Sequence, residues 1–553
     1  MKNNKTMMAA VVCGGLALAG FLTAAAQETR KPKAIMFMLD GLRADALETA
    51  CAPNIARLRA GTWAPGYRGL SSGVGRTVPD AAPSSAANHT TLATGVTAAK
   101  HGVFKNGLTK DGKYAEWPTW LARVAKERGA KSLFVYSWGE NKDLGVDPKV
   151  RFLGGSDAAN GAELPKIMAA PDAPDAVLYF IDIPDHFGHG TGFYPFGYGY
   201  LHGVHEADAF VGDVLAAIRS RPTFDQEDWL VTVTGDHGGY NRAHGMWGGH
   251  ASTVPLVAAG RHLEQGRIPG SPHHYDLTAT TLAHFGFDVA QLKLDGKVLG
   301  KAAPAAPSRA LKEGLAVLLP FSGGFANAVA GGPAAKPFGA AGAVKLAGSG
   351  FLDGCLHVAG GTNALGGVRL EGTEKLVFEQ GAFAATMWVR LPADQVGDPA
   401  IFGNKDWTSG MNPGFVLTAA RPTPNFPRKG VAFNCATSDA RKRIDAGSFD
   451  MTAGAWTFLA VTRSAEGVLM VYQGGADGRF NWIADEAAAA SLASGKAICL
   501  GQDGTGSYRF NLEGDIDDFA LWTRALEPED VRRIYEAGRK GLGLVDVLAH
   551  EGK

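Results

Sequence analysis

Residues 34–43 read AIMFMLDGLR, six apolar residues in a row followed by an acid and a glycine. A continuous apolar run of strand length, closed by a turn, marks a strand covered on both faces. The pattern recurs at Ser132–Tyr136, Ala176–Ile181 and Trp229–Thr234. Between the last two, Val204, Ala207, Val211, Val214, Leu215 and Ile218 fall on one face of a helix. Buried strands alternating with helices predict an α/β domain with a mostly parallel sheet and helices on both faces. Ligands of such sheets bind beyond the carboxyl ends of the strands. Asp40, directly after the first run, therefore stands where chemistry is expected.

Working outward, the chain divides into several parts, as its 553 residues require. Lys2 and Lys5 precede an apolar run from Met7 to Ala26 that ends in three alanines before Gln27. This predicts a cleaved signal peptide over residues 1–26, and with it a periplasmic or secreted protein. An N-terminal membrane anchor is the alternative, disfavoured by a run barely ~20 residues long. Residues 27–300 form the α/β domain and the alanine- and proline-rich stretch at 301–312 reads as a linker. Residues 313–548 are glycine-rich, with short strands at Phe383–Leu391, Trp456–Thr462 and Val468–Tyr472, and predict an all-β jelly-roll sandwich. One helix is expected there, Pro528–Tyr535, with proline at its start. The balance of 54 basic and 54 acidic residues gives no field to attract a nucleic-acid polymer, and no span follows the leader. Cys51, Cys355, Cys435 and Cys499 have no paired metal-site spacing; an oxidising compartment leaves room for one disulfide among the last three, which the sequence does not pair.

Acids and histidines cluster just after the predicted strands of the α/β domain. Asp40 follows the first run, and Asp185 and His189 follow AVLYFID in PDHFGHGTG. Asp236 and His237 follow WLVTVTG, and His244 lies in NRAHGMWGGH, where His250 competes with it. Three Asp and three His suit two zinc ions. Ser85, in PSSAANHTTLATG, opens a helix whose N–H groups favour an anion. A serine hydroxyl attacks poorly by itself, but bound Zn²⁺ lowers its pKa as it lowers that of water.

These motifs resemble the alkaline phosphatase superfamily over roughly Lys33 to Leu299, and most closely its nucleotide pyrophosphatase/phosphodiesterase-like branch. The resemblance implies one zinc held by Asp185, His189 and His244, and a second by Asp40, Asp236, His237 and the nucleophile Ser85. It also implies that Asn106, in His101-Gly102-Val103-Phe104-Lys105-Asn106, contacts a phosphoryl oxygen. A sulfatase is disfavoured, because SSAAN lacks the proline and arginine of the C/S-x-P-x-R pattern. The function implied is an exported phosphoric ester hydrolase, a phosphodiesterase before a phosphomonoesterase, acting on a small molecule or a phosphorylated glycan or lipid through a phosphoseryl intermediate. Lys149, Arg151 and Lys105 are the cations that a monoester's second charge would call on.

The C-terminal region resembles the concanavalin A-like, laminin G-like jelly roll, on IFGNKDWTSGMNPGF, WTFLAVTR, GQDGTG and GDIDDFALWTRAL. That resemblance implies a glycan ligand or a structural Ca²⁺, with Asp503, Asp515, Asp517 and Asp518 as candidate oxygen ligands. Trp407 is a candidate sugar-stacking residue. It also keeps open a rival reading, a glycan-binding extracellular protein with an inactive hydrolase domain.

Overall fold

The computed structural model describes residues 30–245, 249–303, 309–360, 365–376, 381–420, 430–437, 443–486 and 491–551. The expected signal peptide lies outside the described residues, and so does the middle of the expected linker.

The N-terminal domain alternates strand and helix. Its strands are β1 (Lys31–Leu39), β2 (Arg68–Arg76), β3 (Ser132–Tyr136), β4 (Val150–Gly154), β5 (Ala176–Ile181), β6 (Glu227–Gly235), β7 (Thr253–Gly260) and β8 (Gly266–Arg267). Its helices are α1 (Ala44–Thr49), α2 (Pro53–Arg59), α3 (Ser85–Thr94), α4 (Ala98–His101), α5 (Trp120–Arg128), α6 (Asp157–Ala169), α7 (Ile183–Thr191), α8 (Tyr198–Arg219), α9 (Gly249–Ser252) and α10 (Asp276–His284). The strands form one sheet in the order β4-β3-β5-β1-β6-β7-β2-β8. β4, β3, β5, β1 and β6 pair in parallel, while β7 runs antiparallel to both neighbours.

The unbroken apolar run of β1 has a direct cause. Ile35, Phe37 and Leu39 pack with residues of α2, α6 and α8 on one face. Ala34, Met36 and Met38 pack with α3, α5 and α10 on the other. Alternate residues serve opposite layers, so a central strand needs apolar residues at every position. β1 lies between β5 and β6, in register from Leu39–Ile181 to Leu39–Gly235. The three strands therefore end together and bring Asp40, Asp182 and Asp236 to one edge.

The C-terminal region is a sandwich of two antiparallel sheets. One runs Ala334–Gly339, Gly366–Glu371, Ile498–Leu500, Ala400–Gly403, Gly414–Ala420, Gly430–Ala436, Arg443–Asp450. The other runs Val344–Ala347, Cys355–Val358, Gly514–Trp522, Phe383–Arg390, Trp456–Arg463, Val468–Gly475, Phe480–Glu486, with Leu315–Leu319 also paired to Gly514–Trp522. Phe402, Phe415 and Phe433 meet Phe383, Leu459 and Phe519 between the sheets. The expected helix runs further, Pro528–Arg539, and a second follows at Leu544–His550. Together they cover Trp388, Phe458 and Trp522 on the outer face.

No disulfide joins Cys51, Cys355, Cys435 and Cys499, the last three of which are buried. Among the described residues no helix is long and apolar enough to cross a membrane.

Candidate active site

The tight turn after β1 begins the site. Gly41 has φ +70°, and a Cβ there would lie 2.9 Å from Asp185 Cα. Only glycine adopts this conformation freely and lets α7 approach so closely. The Gly41 N–H donates to Asp236 Oδ1 at 3.0 Å, and the His237 N–H to the same oxygen at 2.8 Å. The carboxylate's inner oxygen is thus spent on the backbone and Oδ2 is turned toward the site.

His237 donates Nδ1–H to Gly238 O at 2.8 Å, which fixes Nε2 inward. Nε2 lies 3.2 Å from Asp236 Oδ2, 3.4 Å from Asp40 Oδ1 and 3.2 Å from Ser85 Oγ. Four of the expected residues therefore meet at one point, and all are buried. Ser85 is the first residue of α3, after extended Ser84. Asn88, one turn on, donates Nδ2–H to Ser84 O at 3.0 Å and holds the entry to the helix. Asn106 Oδ1 accepts the Ala86 N–H at 3.0 Å, which leaves the amide's NH₂ end as a donor beside the nucleophile.

The second half is built on α7. Asp185 Oδ2 lies 3.3 Å from His189 Nε2, and Oδ1 lies 3.9 Å from His244 Nε2. His189 donates Nδ1–H to Arg242 O at 2.9 Å. His244 stacks on His237 with ring centroids 3.8 Å apart. Burial and the neighbouring His237 push His244 down to about 4, which keeps it a neutral imidazole, the ligating form. His250 lies instead in α9, its ring 5.0 Å from Tyr240.

Two donor groups have the geometry to hold a metal: Asp40, Asp236 and His237, and Asp185, His237 and His244. His237 reaches both, while His189 stands at the solvent side, its side chain 45% exposed. Asp40 Oδ1, Asp236 Oδ2 and Asp185 Oδ1 are buried carboxylate oxygens that accept no hydrogen bond. Buried carboxylate oxygens without donors are costly unless cations meet them, and this nitrogen-and-oxygen set suits zinc.

Several residues at the site were not marked by the sequence. His89, on α3, places Nε2 3.2 Å from Asp40 Oδ2 and 3.2 Å from Asp236 Oδ2. Burial disfavours its charged form, but the contacts with Asp236 and Asp40 outweigh that and raise its pKa well above the usual value. Asn141 Oδ1 holds its other nitrogen at 2.9 Å. Glu140 accepts from Gly107 N, Thr109 N and Thr109 Oγ, pinning the loop that carries Asn106. Asp182, which the sequence did mark as a strand-end neighbour of the site and not a ligand, is buried beside it, its carboxyl pushed up to about 8 by burial and by Asp157.

Lys149 and Arg151 are exposed at edge strand β4, with β3 and β5 between them and β1. In the sandwich the four candidate calcium ligands do not gather. Asp503 accepts from Trp407 N, Thr505 N and Gly506 N, and Asp515 is engaged by His357 and Arg390. Asp517 accepts from Phe351 N and Leu352 N, and Asp518 from Leu544 N. Among the described residues neither metal-capable group lies in the sandwich. Trp407 donates Nε1–H to Asp398 O at 3.0 Å and is half-buried in its loop.

The chain thus joins a mixed sheet flanked by helices, with a carboxylate–histidine site at its strand edge, to an antiparallel sandwich. Residues 34–163 match the Type I phosphodiesterase / nucleotide pyrophosphatase family, and residues 365–532 the concanavalin A-like lectin/glucanases superfamily. Over residues 34–163 the N-terminal domain is thus phosphodiesterase-like.

Solved structures resemble parts of the chain. An inactive murine ectonucleotide pyrophosphatase / phosphodiesterase 5 in complex with AMP is 14% identical, covering 47% of this chain and 96% of its own, with TM-score 0.38. Ps i-CgsB in complex with k-i-k-neocarrahexaose is 18% identical, covering 48% and 75%, with TM-score 0.38. A 2-O GAG sulfatase is 14% identical, covering 50% and 76%, with TM-score 0.38. No curated protein matches the chain.

Proposed function

We propose that the chain is an exported two-zinc phosphoric ester hydrolase, of phosphodiesterase/nucleotide pyrophosphatase type, that works through a phosphoseryl intermediate on Ser85. The observation that carries this reading is the convergence of donor-free carboxylate oxygens of Asp40, Asp236 and Asp185 with inward-facing His237 and Ser85 Oγ. Asp40, Asp236, His237 and Ser85 would hold one zinc, and Asp185, His189 and His244 the other. Zinc bound there lowers the pKa of hydroxyl and water and takes up negative charge.

Ser85 Oγ gives its proton to solvent water and attacks phosphorus, and the ester oxygen opposite it leaves and takes one proton back from solvent. Water then attacks the phosphoseryl ester, releasing the phosphoryl product and restoring the Ser85 hydroxyl. The amide NH₂ of Asn106 donates to a non-bridging oxygen through both steps. The remote, exposed positions of Lys149 and Arg151 favour a diester over a monoester, since neither adds charge beside Ser85. Ala87 and His89 stand where a sulfatase pattern would need proline and arginine, which favours phosphate over sulfate.

The test uses residues 27–553, with metal content and turnover of bis-p-nitrophenyl phosphate, p-nitrophenyl phosphate and p-nitrophenyl sulfate. About two zinc ions per chain and diester turnover lost in Ser85→Ala are expected. Faster monoester or sulfate turnover would overturn the diester assignment. Absence of zinc and of turnover on every ester would leave the glycan-binding reading in its place.

A further inference from the structure

The strand Phe480–Glu486 is the last of its sheet, and its open edge meets the catalytic domain. Ala484 O accepts Arg76 Nη1–H at 2.8 Å and Thr253 Oγ–H at 2.9 Å. Arg76 also donates to Thr253 Oγ at 2.8 Å, closing a triangle. Trp482 packs over Gly73, with a ring atom 3.5 Å from where a Cβ would sit. Ala44 and partly buried Val74 join the apolar cluster around Trp482 and Phe480. Gly249 comes so close that a Cβ would lie 2.7 Å from Ala484 O.

From that one carbonyl two arms lead into the site. Arg76 ends β2, and the next residues, Thr77 and Val78, run to α3: the Val78 N–H donates to Asn88 Oδ1 at 2.9 Å. Asn88 in turn holds Ser84 O, immediately before Ser85. The same Asn88 oxygen accepts His274 Nε2–H at 3.0 Å, and the His274 N–H donates to Arg76 O at 2.9 Å, so this arm is doubly tied. Thr253 opens β7 directly after α9. There Ala251 O accepts the Gly238 N–H at 2.8 Å, and Gly238 O fixes the His237 ring. Thr77 N–H donates to Ser252 O at 3.1 Å and cross-links the arms. They rejoin where Ser85 Oγ meets His237 Nε2.

We infer that the sandwich is a brace for the hydrolase: its Phe480–Glu486 strand sets the separation of Ser85 and His237 by clamping Arg76 and Thr253, and these are positioning residues. The inference rests on the proposed role of Ser85 and His237. It assigns the sandwich a mechanical part in turnover, apart from any glycan it binds.

The experiment compares full-length parent with Arg76→Ala, Arg76→Lys and Trp482→Ala by hydrogen–deuterium exchange and diester kinetics, with thermal melts confirming folding. Arg76→Ala and Trp482→Ala are expected to speed exchange in residues 77–90 and 237–245 and to leave 132–154 unchanged. Their kcat should fall by roughly 10-fold or more, as for a small misplacement of reacting groups, with KM within about 2-fold of the parent. Arg76→Lys, which retains a donor, should recover much of both. Unchanged exchange in the two arms overturns the brace whatever happens to turnover, and faster exchange with unchanged kcat overturns it too. A parent that turns over no ester sinks the reading of the site, and the exchange pattern then decides the brace by itself.

Discussion

His89 is held on three sides, by Asp40, Asp236 and Asn141. It engages Asp40 Oδ2 and the same Asp236 Oδ2 that is turned toward the site, and such partners orient the proposed ligands. His89→Ala is expected to weaken zinc binding about 10–100-fold, read by chelator competition. Asn106→Ala removes a donor to the phosphoryl oxygens, and kcat should fall roughly 10²–10³-fold with zinc content unchanged. The sequence marked Asn106 because its motif is local, and the structure sets it beside Ala86. His89 was not marked, because nothing in the run Asn88-His89-Thr90 announces carboxylates contributed by β1 and β6. A residue whose partners are remote in sequence leaves no periodic trace.

Turns and strand ends position the whole site. Gly41, with φ +70° and α7 packed on it, has no room for a methyl group. Gly41→Ala should cost about 1–3 kcal/mol of stability, measured by denaturant unfolding, and should lower zinc occupancy as α7 is pushed outward. The buried strands were legible as apolar runs, since two covering layers leave no polar position. β2 was not: RGLSSGVGR carries glycine and serine where its antiparallel pairing with β7 shifts register. The helix at Leu544–His550 was missed as well, because it is short and only Leu544 is buried.

At the scale of the molecule, two adjacent acids make the sandwich sensitive to pH. Burial pushes Asp517 up to about 6 and Asp518 up to about 7. The folded state therefore binds these protons more tightly than the unfolded chain. Their stabilising contribution is complete below the unfolded value, about 3.8, and is lost as pH rises through 6 to 7. Asp518→Asn keeps the shape, suits the φ of +48°, and should narrow the gap in Tm between about pH 5 and pH 8. The division into two folds was legible from the change in composition around residues 301–312. Their docking was not, because it joins one backbone carbonyl to Arg76 and Thr253 and packs Trp482 against Gly73 and Val74, residues too scattered to leave a pattern in the sequence.

Four of the chain's five cysteines lie among the described residues, with no disulfide between them, and this gives residues 27–553 a property useful at the bench. Cys355, Cys435 and Cys499 are sealed in the sandwich, whereas Cys51 lies open on the hydrolase domain. Residues 27–553 therefore need no oxidative folding machinery, and reductants should leave them intact. A maleimide dye should mark Cys51 alone in the native state and all four after denaturation. The chain thus carries its own gauge of sandwich unfolding, separate from any assay of catalysis.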